Sequence, residues 1–576
     1  MGNSRAAKLG LRARQQAELI FSDQGEYFRQ KVWRRRLYRS LGLCLRHRLK
    51  FLGAIAYGTE YGIKELKEPC NWLRMSVATQ HNEQEKGFFV SQKNNKRRRF
   101  EPVVIGKVAG IRTVIEAVPE AMTAFAGAPM IANMERKHGM LAELAKRIHD
   151  QRTEHLVKHK TSSILLQRAC QIGLGYPDGN DADFLRFDPA ILQAIDRHPV
   201  WGLPAASQET IQRFESKALD GTNVETARNI FMDHYLAGNT KRPKRVELDL
   251  DGSMFKTYGS QEGAIFRGGK YHHEMLYPIF GFISGWLVAA TLRMGDQGES
   301  STVLPVLKTI VDQLRKRWPK VPITVRLDSA FGSPELYRWC RQNRVDYEIG
   351  LRTTRALDWH AYDFFIQAKE EFSREFGEPE FLKADGKTKD GDKVQAEHAR
   401  VRRLSTKERM QAEADRRNRR VRVVGEFSYK AESWDQWERI LVRVDYTDTG
   451  FDVRYVMVSQ QYGMPQQIYE DEYCKRGLME QFIGKFKQTG QKLSAQTFYT
   501  NQFRMIMYGV TYQLLFHLQQ FLGGRLERCD VHTLRKILMV MPAVIRCTEN
   551  TVVLRISENH PHCRRYLATW RRLTVA

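Results

Sequence analysis

Hydrophobic and polar positions change period along this chain, and the changes divide it. Over Val108 to Phe125, Met140 to Ile148 and Ser162 to Leu174 apolar residues recur every three or four positions, which predicts helices. A polar loop, Gly175 to Asp183, leads to Asp188-Pro189, an N-cap followed by a proline in the first helical turn. At Val246 the period falls to two. Val246, Leu248 and Leu250 alternate with Glu247, Asp249 and Asp251, so a short strand carries three acids on one face. The apolar run Tyr277 to Leu292 is split by Ser284-Gly285, which predicts two strands joined by a turn. An amphipathic helix from about Thr302 to Arg317, a strand over Pro322 to Asp328, a helix opened by Ser333-Pro334 and a strand over Val345 to Leu351 follow. Beyond Arg352 the periodicity fails as far as about Trp437. Lys369 to Lys393 and Arg402 to Arg422 are heavily charged, Lys407 to Arg420 predicts an exposed helix, and Gly425 to Ser459 predicts antiparallel strands.

The order is three strands, helix, strand, helix, strand, which predicts a mixed α/β sheet. That succession is the one of the ribonuclease H-like fold, here with a strand-rich insertion and a helical region in front of it. The expected divisions are a basic arm at 1–100, a helical domain at 101–243, the first part of the core at 244–351, an insertion at 352–459, the second part of the core at 460–525, and a C-terminal segment at 526–576.

Composition narrows the partner. The 576 residues carry 92 Lys+Arg against 66 Asp+Glu, a net charge of +26, while 42% hydrophobic residues exclude a disordered tail protein. A folded chain so basic answers phosphate, in nucleic acid or at an anionic surface; generic solubilising charge is the alternative. Residues 1–50 hold 13 Lys+Arg and three acids, densest from Lys31 to Arg39 where Trp33 and Tyr38 interleave with arginines, and Lys96 to Arg99 form a second basic cluster. Interleaved cations and aromatics suit a phosphate backbone and its bases, or a solvated basic face. The 16-residue run Tyr277 to Leu292 is shorter than the ~20 residues of a spanning helix. The eight cysteines are scattered with no C-x-x-C pair, which suits reduced thiols and a cytoplasmic protein. Cys529, His532, His560, His562 and Cys563 match no standard zinc spacing.

Phosphodiester chemistry needs carboxylates converging from separate elements, because Mg2+ is a hard cation that takes oxygen ligands. Asp251 ends the acidic strand face beside Asp249, and Asp328 ends the strand expected next to it. Each aspartate alone reads equally as a turn former or helix cap. Glu480 lies in Y-C-K-R-G-L-M-E-Q-F-I-G-K-F-K, with Tyr473, Arg476, Glu480 and Lys487 spaced so that a helix gathers them in one stripe about 60° wide. Leu478, Met479, Phe482, Ile483 and Phe486 fall on the opposite, buried side. A guanidinium that forks onto phosphate, an ammonium and a phenol beside one carboxylate suit a metal-dependent site on a phosphate chain. An ordinary ion pair between Arg476 and Glu480 is the plainer reading.

The pattern Y-x2-R-x3-E-x6-K after two strand-borne aspartates resembles the signature of the DDE insertion-sequence transposases of the family-four superfamily. D-F-L-R-F-D-P at 183–189, L-D-L-D-G-S and Y-G-S-Q-E-G-A within 248–264, L-R-M-G-D at 292–296, R-L-D-S-A-F-G-S-P-E-L at 326–336 and R-Y-V-M-V-S at 454–459 are similar to its thirteen-eighty branch. The likeness covers roughly residues 100–576, and the first 100 have no counterpart in it. It implies catalytic and metal-holding roles for Asp251, Asp328 and Glu480, and DNA contacts from Tyr473, Arg476 and Lys487. It also implies two Mg2+ ions, with Mn2+ able to substitute, double-stranded DNA at element ends and target as partner, a homodimer in the synapse, end-DNA binding by the helical domain, and a bacterial, nucleoid-associated location. The family's usual Asp-Ser/Thr pair reads Asp251-Gly252-Ser253 here, which leaves Asp249 and Asp251 both open as the first ligand. The implied activity is cut-and-paste transposition at terminal inverted repeats. A retired transposase that only binds DNA, and a ribonuclease H-like nuclease without strand transfer, are the alternatives.

Overall fold

The computed structural model describes residues 100–575 except 219, 269–271, 378–418, 449 and 549. The basic arm and the Lys96 to Arg99 cluster lie outside the described residues, as does the helix expected over Lys407 to Arg420 except for its last two positions. Two compact units divide the chain at residue 117.

The first unit contributes one described feature, an antiparallel hairpin of Val103–Val108 and Ile111–Ile115. Helix was expected to begin at Val108, and the hairpin overturns that expectation. Ala109 and Gly110 both take positive φ, 50° and 80°, the backbone of a tight hairpin turn. The flanks are rich in β-branched residues, which lose side-chain freedom in a helix and pack well on a pleat. The expected helix fails over its last residues too, where Ala121–Thr123, in the second unit, is a strand paired with Ala543–Cys547.

The second unit opens with helices between Ala128 and Gly238. They include Met140–Arg147 and Thr161–Leu174, and Asp188 caps Pro189–Ala194 by accepting from the amides of Ala190 and Ile191. The sheet that follows has eight strands. They are β1 (Val246–Gly252), β2 (Ile279–Ile283), β3 (Trp286–Thr291), β4 (Ile323–Leu327), β5 (Val345–Leu351), β6 (Arg420–Tyr429), β7 (Glu438–Thr447) and β8 (Gly450–Val458), in spatial order β6-β7-β8-β5-β4-β1-β2-β3. β4 runs parallel to both β1 and β5, and the other neighbours are antiparallel. This is the ribonuclease H-like arrangement, with the strands of the 352–459 segment continuing the same sheet beyond β5. The hairpin between β2 and β3 turns at Ser284 and Gly285, both with positive φ. A small three-stranded sheet within Phe255–Leu276 is inserted between β1 and β2.

The helices that flank the sheet are α1 (Glu299–Arg317), α2 (Pro334–Gln342), α3 (Tyr362–Phe376), α4 (Gly477–Thr489) and α5 (Phe498–Leu522). Period two sorts each strand between two cores. Val246, Leu248 and Leu250 of β1, Ile323, Val325 and Leu327 of β4, and Val345, Tyr347 and Ile349 of β5 join α1, α2 and α3 in one cluster. Phe280 and Phe282 of β2 join α4, α5 and the N-terminal helices in the other. Each such buried aliphatic contributes about 1.5–3 kcal/mol, which holds register firmly, because a slip of one residue would turn every one of them to the wrong face.

Candidate active site

The same register lines up the remaining side chains of β1, β4 and β5 in rows. Arg326 pairs with Asp249 on one side and Glu348 on the other, and Leu327 pairs with Leu250 and Ile349. One step further, at the strand ends, stand Asp251, Asp328 and Gly350. Two rows therefore lie on one face, Asp249–Arg326–Glu348 and then Asp251–Asp328–Gly350.

In the first row Arg326 and Asp249 are already paired, while one oxygen of Glu348 is buried without a partner. Arg326 Nε and Nη2 donate to the two oxygens of Asp249 at 2.6 and 3.0 Å, and its Nη1 donates to the Glu472 carbonyl at 2.8 Å and lies 3.1 Å from Glu247. Both partners are buried. Burial pushes the Asp249 carboxyl up although the guanidinium pulls it down. Burial also pushes Glu348 up to about 8, with the neighbouring Glu472 carboxylate adding to it. An aspartate held at both oxygens has little left for a metal, so of the two alternatives Asp251 is the freer.

The second row faces the site. Asp251 accepts from its own following amide, Gly252 N, at 2.8 Å and from Arg476 Nη1 at 3.1 Å. Burial raises its carboxyl to about 6; Arg476 opposes that rise and Asp328 adds to it. Asp328 accepts from Ser329 N at 2.6 Å. Two carboxylates side by side with one guanidinium against them are under-neutralised, which is what an oxygen-liganded cation relieves.

Arg476 reaches Asp251 because the chain before α4 is wound tightly. The stripe expected over one continuous α-helix is built differently: Ile468–Glu472 is a wide π turn, Tyr473–Arg476 a 3₁₀ turn, and α4 begins at Gly477. In a 3₁₀ turn residues i and i+3 eclipse, so Tyr473 and Arg476 stand over one another, the guanidinium close to the phenol. Tyr473 also lies against Gly350: a Cβ there would meet its hydroxyl at 2.7 Å and come within 3.8 Å of Asp328 Oδ1. The glycine in the second row makes room for the phenol.

Glu480 follows one turn after Arg476 on α4 and is exposed. The structure brings Asp251, Asp328, Tyr473 and Arg476 together, while Glu480 does not close with the two aspartates into a group whose oxygens all lie within 4.8 Å of one another. Lys487 is half-buried on the same helix, its Nζ 5.4 Å from the ring centre of Phe255, and burial lowers its pKa. Met479, Ile483 and Phe486 are buried as expected, but Leu478 is 47% exposed. It occupies the second position of α4, where the helix has only begun to pack. The five-residue Cys/His set around 529–563 does not assemble, since the one metal-competent histidine or cysteine group among the described residues lies elsewhere.

Residues that the sequence reading did not single out complete the site. Arg326 shares the period-two face of Asp328, so that spacing was a usable signal for it. For Gly350 the sequence carried none. Gly252 has a steric reason, because a Cβ at this position would lie 2.4 Å from the Tyr277 ring.

The profile of the family described as "Transposase DDE domain group 1" matches residues 108–576. The chain belongs to that family. Membership makes it a DDE transposase by class, and the family generally uses divalent metal ions. The donors present fit such an ion, being hard carboxylate oxygens at adjacent strand ends with too little positive charge of their own. No curated protein matches the sequence. Among solved structures, the transposase is similar to a chain in the cryo-EM structure of the piggyBac transposase synaptic complex with hairpin DNA, with 10% identity, a TM-score of 0.35, and coverage of 71% of this chain and 78% of that one. No helix among its described residues is long and apolar enough to cross a membrane.

Proposed function

We propose that this transposase is the active enzyme of an insertion sequence of the thirteen-eighty type, binding terminal inverted repeats and moving its element by DNA cleavage and strand transfer. The observation that carries the reading is the row Asp251–Asp328–Gly350 with Arg476 folded onto Asp251, because it assembles two acids, a guanidinium and a phenol from three distant segments.

In this reading Asp251, Asp328 and Glu480 hold the metal. Two Mg2+ ions supply, when bound, activation of the attacking oxygen and neutralisation of the leaving one. Arg476 leaves Asp251 for a backbone phosphate once that carboxylate has another counter-charge, Lys487 meets a second phosphate as a point charge, and Tyr473 positions the end by hydrogen bond or stacking. Water attacks the phosphodiester at the element end and the bond to the 3′-oxygen breaks. The freed 3′-hydroxyl then attacks a target phosphorus, and as the new phosphodiester forms the target's own P–O3′ bond breaks and its 3′-oxygen leaves with a proton. The helices between Ala128 and Gly238 bind end DNA, and two copies of the chain synapse two ends.

The test is strand cleavage and strand transfer on duplexes that carry the inverted repeats flanking the gene, with Mg2+ or Mn2+. The parent should cut and join, and Asp251→Asn, Asp328→Asn and Glu480→Gln should lose at least ~100-fold in rate while still binding DNA. Equal cutting by Glu480→Gln overturns the residue assignment. Salt-sensitive DNA binding by the parent with no metal-dependent cleavage indicates a retired transposase, and cleavage without joining indicates a nuclease.

A further inference from the structure

Three histidines from three separate helices meet away from the acids. His138 ends the helix Ala128–His138, His234 lies in the helix Ile230–Gly238, and His517 lies in α5. One ligand nitrogen from each can be chosen so that all three lie within 4.8 Å of one another. His234 Nε2 and His517 Nε2 are 2.8 Å apart, His138 stacks on His517 with ring centres 4.0 Å apart, and Trp286 closes one side at 4.5 Å from His517. His234 and His517 are buried.

Donor arithmetic makes the group informative. Three neutral imidazoles carry three N–H donors and three lone pairs. The contact between His234 and His517 uses one of each, and among the described residues the three rings make no other hydrogen bond with a protein group. The other two lone pairs are not committed to a protein donor and can take a ligand. The neutral imidazole is the form that binds metal.

We propose that His138, His234 and His517 form a second metal site, for a transition ion of the zinc class, separate from the carboxylate site and independent of the function proposed above. A three-imidazole set with no carboxylate favours Zn2+ over Mg2+, which prefers oxygen. Tetrahedral zinc with Zn–N bonds of ~2.0–2.1 Å keeps its nitrogens about 3.3 Å apart. The His234–His517 pair opens by roughly half an ångström to accept it, His138 closes, and the fourth position faces the half-buried side at His138. The ion would tie the start of the N-terminal helical region and its last helix to α5, the long helix behind the sheet.

The experiment uses the full chain, stripped with chelator and desalted. Zinc is titrated by competition with a chromophoric chelator and counted by mass spectrometry. Cobalt is added separately, because four-coordinate Co2+ on nitrogen ligands absorbs far more strongly in the visible than Co2+ among carboxylates and water. The parent and an Asp251→Asn/Asp328→Asn double variant are expected to bind one zinc per chain and to show the four-coordinate band. His138→Asn, the least buried change, should weaken zinc at least 10–100-fold, the range seen even for outer-shell losses. Absence of zinc binding and of the band in the parent overturns the site, as does unchanged zinc affinity in a folded His138→Asn. If His138→Asn does not fold, the parent and the double variant still decide by their zinc count and cobalt spectrum.

Discussion

Arg326 closes two nitrogens on the Asp249 carboxylate, Nε to Oδ1 at 2.6 Å and Nη2 to Oδ2 at 3.0 Å. Asp251, two residues on and on the same face of β1, meets only one nitrogen of Arg476, at 3.1 Å. Neighbouring acids of one strand thus have different work, and substitution should separate them. Asp249→Asn leaves a buried guanidinium short of its main counter-charge and should cost about 3 kcal/mol, within the usual range for breaking a buried pair. Asp251→Asn should lie within about 1 kcal/mol of the parent or above it, because it removes a carboxylate that burial holds near 6. Urea unfolding and the cleavage assay together check this: loss of stability should follow Asp249, and loss of cleavage with intact stability should follow Asp251. The opposite pattern would make Asp249 the ligand.

Gly252 stands where the resembling family carries serine or threonine, and the Tyr277 ring fills the space a Cβ needs. Gly252→Ser should therefore destabilise by about 1–3 kcal/mol, the usual range for overpacking, rather than restore a family feature. Adding Tyr277→Val should recover part of that loss in thermal unfolding. An unaltered melting temperature in Gly252→Ser alone would show that the ring moves freely.

The sheet core is legible in the sequence because its strands obey period two and its turns use residues with one job. Ser284-Gly285, Ser333-Pro334 and Asp188-Pro189 all mark real boundaries. The hairpin at 103–115 is not legible, since its apolar residues also fit a helical spacing and only the backbone at Ala109 and Gly110 decides. In the candidate site the sequence shows the acids and the spacing from Tyr473 to Lys487, but neither the 3₁₀ turn that carries Tyr473 and Arg476 ahead of α4 nor what neutralises what. The Arg326–Asp249 pair spans 77 residues and the Arg476–Asp251 pair 225, and no local pattern encodes a partner at that distance. The histidine group spans still more, and its members sit singly on three helices with nothing in their neighbours to link them.

Glu348 should make stability fall as the pH rises. Its carboxyl is raised from an ordinary 4.5 to about 8 in the folded chain. Below about 4.5 it is protonated whether the chain is folded or not, and it costs nothing. Between about 4.5 and 8 the unfolded chain releases the proton and the folded chain keeps it, so this group weakens the fold progressively and levels off above 8. Glu348→Gln removes the effect. The variant should equal the parent near pH 4.5 and exceed it by on the order of 2–4 kcal/mol at pH 8, read from urea midpoints across that window. A constant difference at every pH would mean that packing, and not the proton, accounts for it.

Gly350 and Tyr473 offer the most specific test of the second row. A methyl group at 350 would lie 2.7 Å from the phenol oxygen, and Tyr473 cannot yield easily because the eclipsed 3₁₀ turn holds it against Arg476. Gly350→Ala should destabilise by about 1–2 kcal/mol through that contact and depress cleavage by moving the phenol and the guanidinium together. In a Tyr473→Phe background the oxygen is gone, the nearest remaining atom is farther away, and the same alanine should cost markedly less. A double-mutant cycle on unfolding free energy should therefore show a coupling of at least 0.5 kcal/mol, as expected for residues in contact. Strict additivity would place the phenol somewhere other than over Gly350, and with it would go the explanation for glycine at the end of β5.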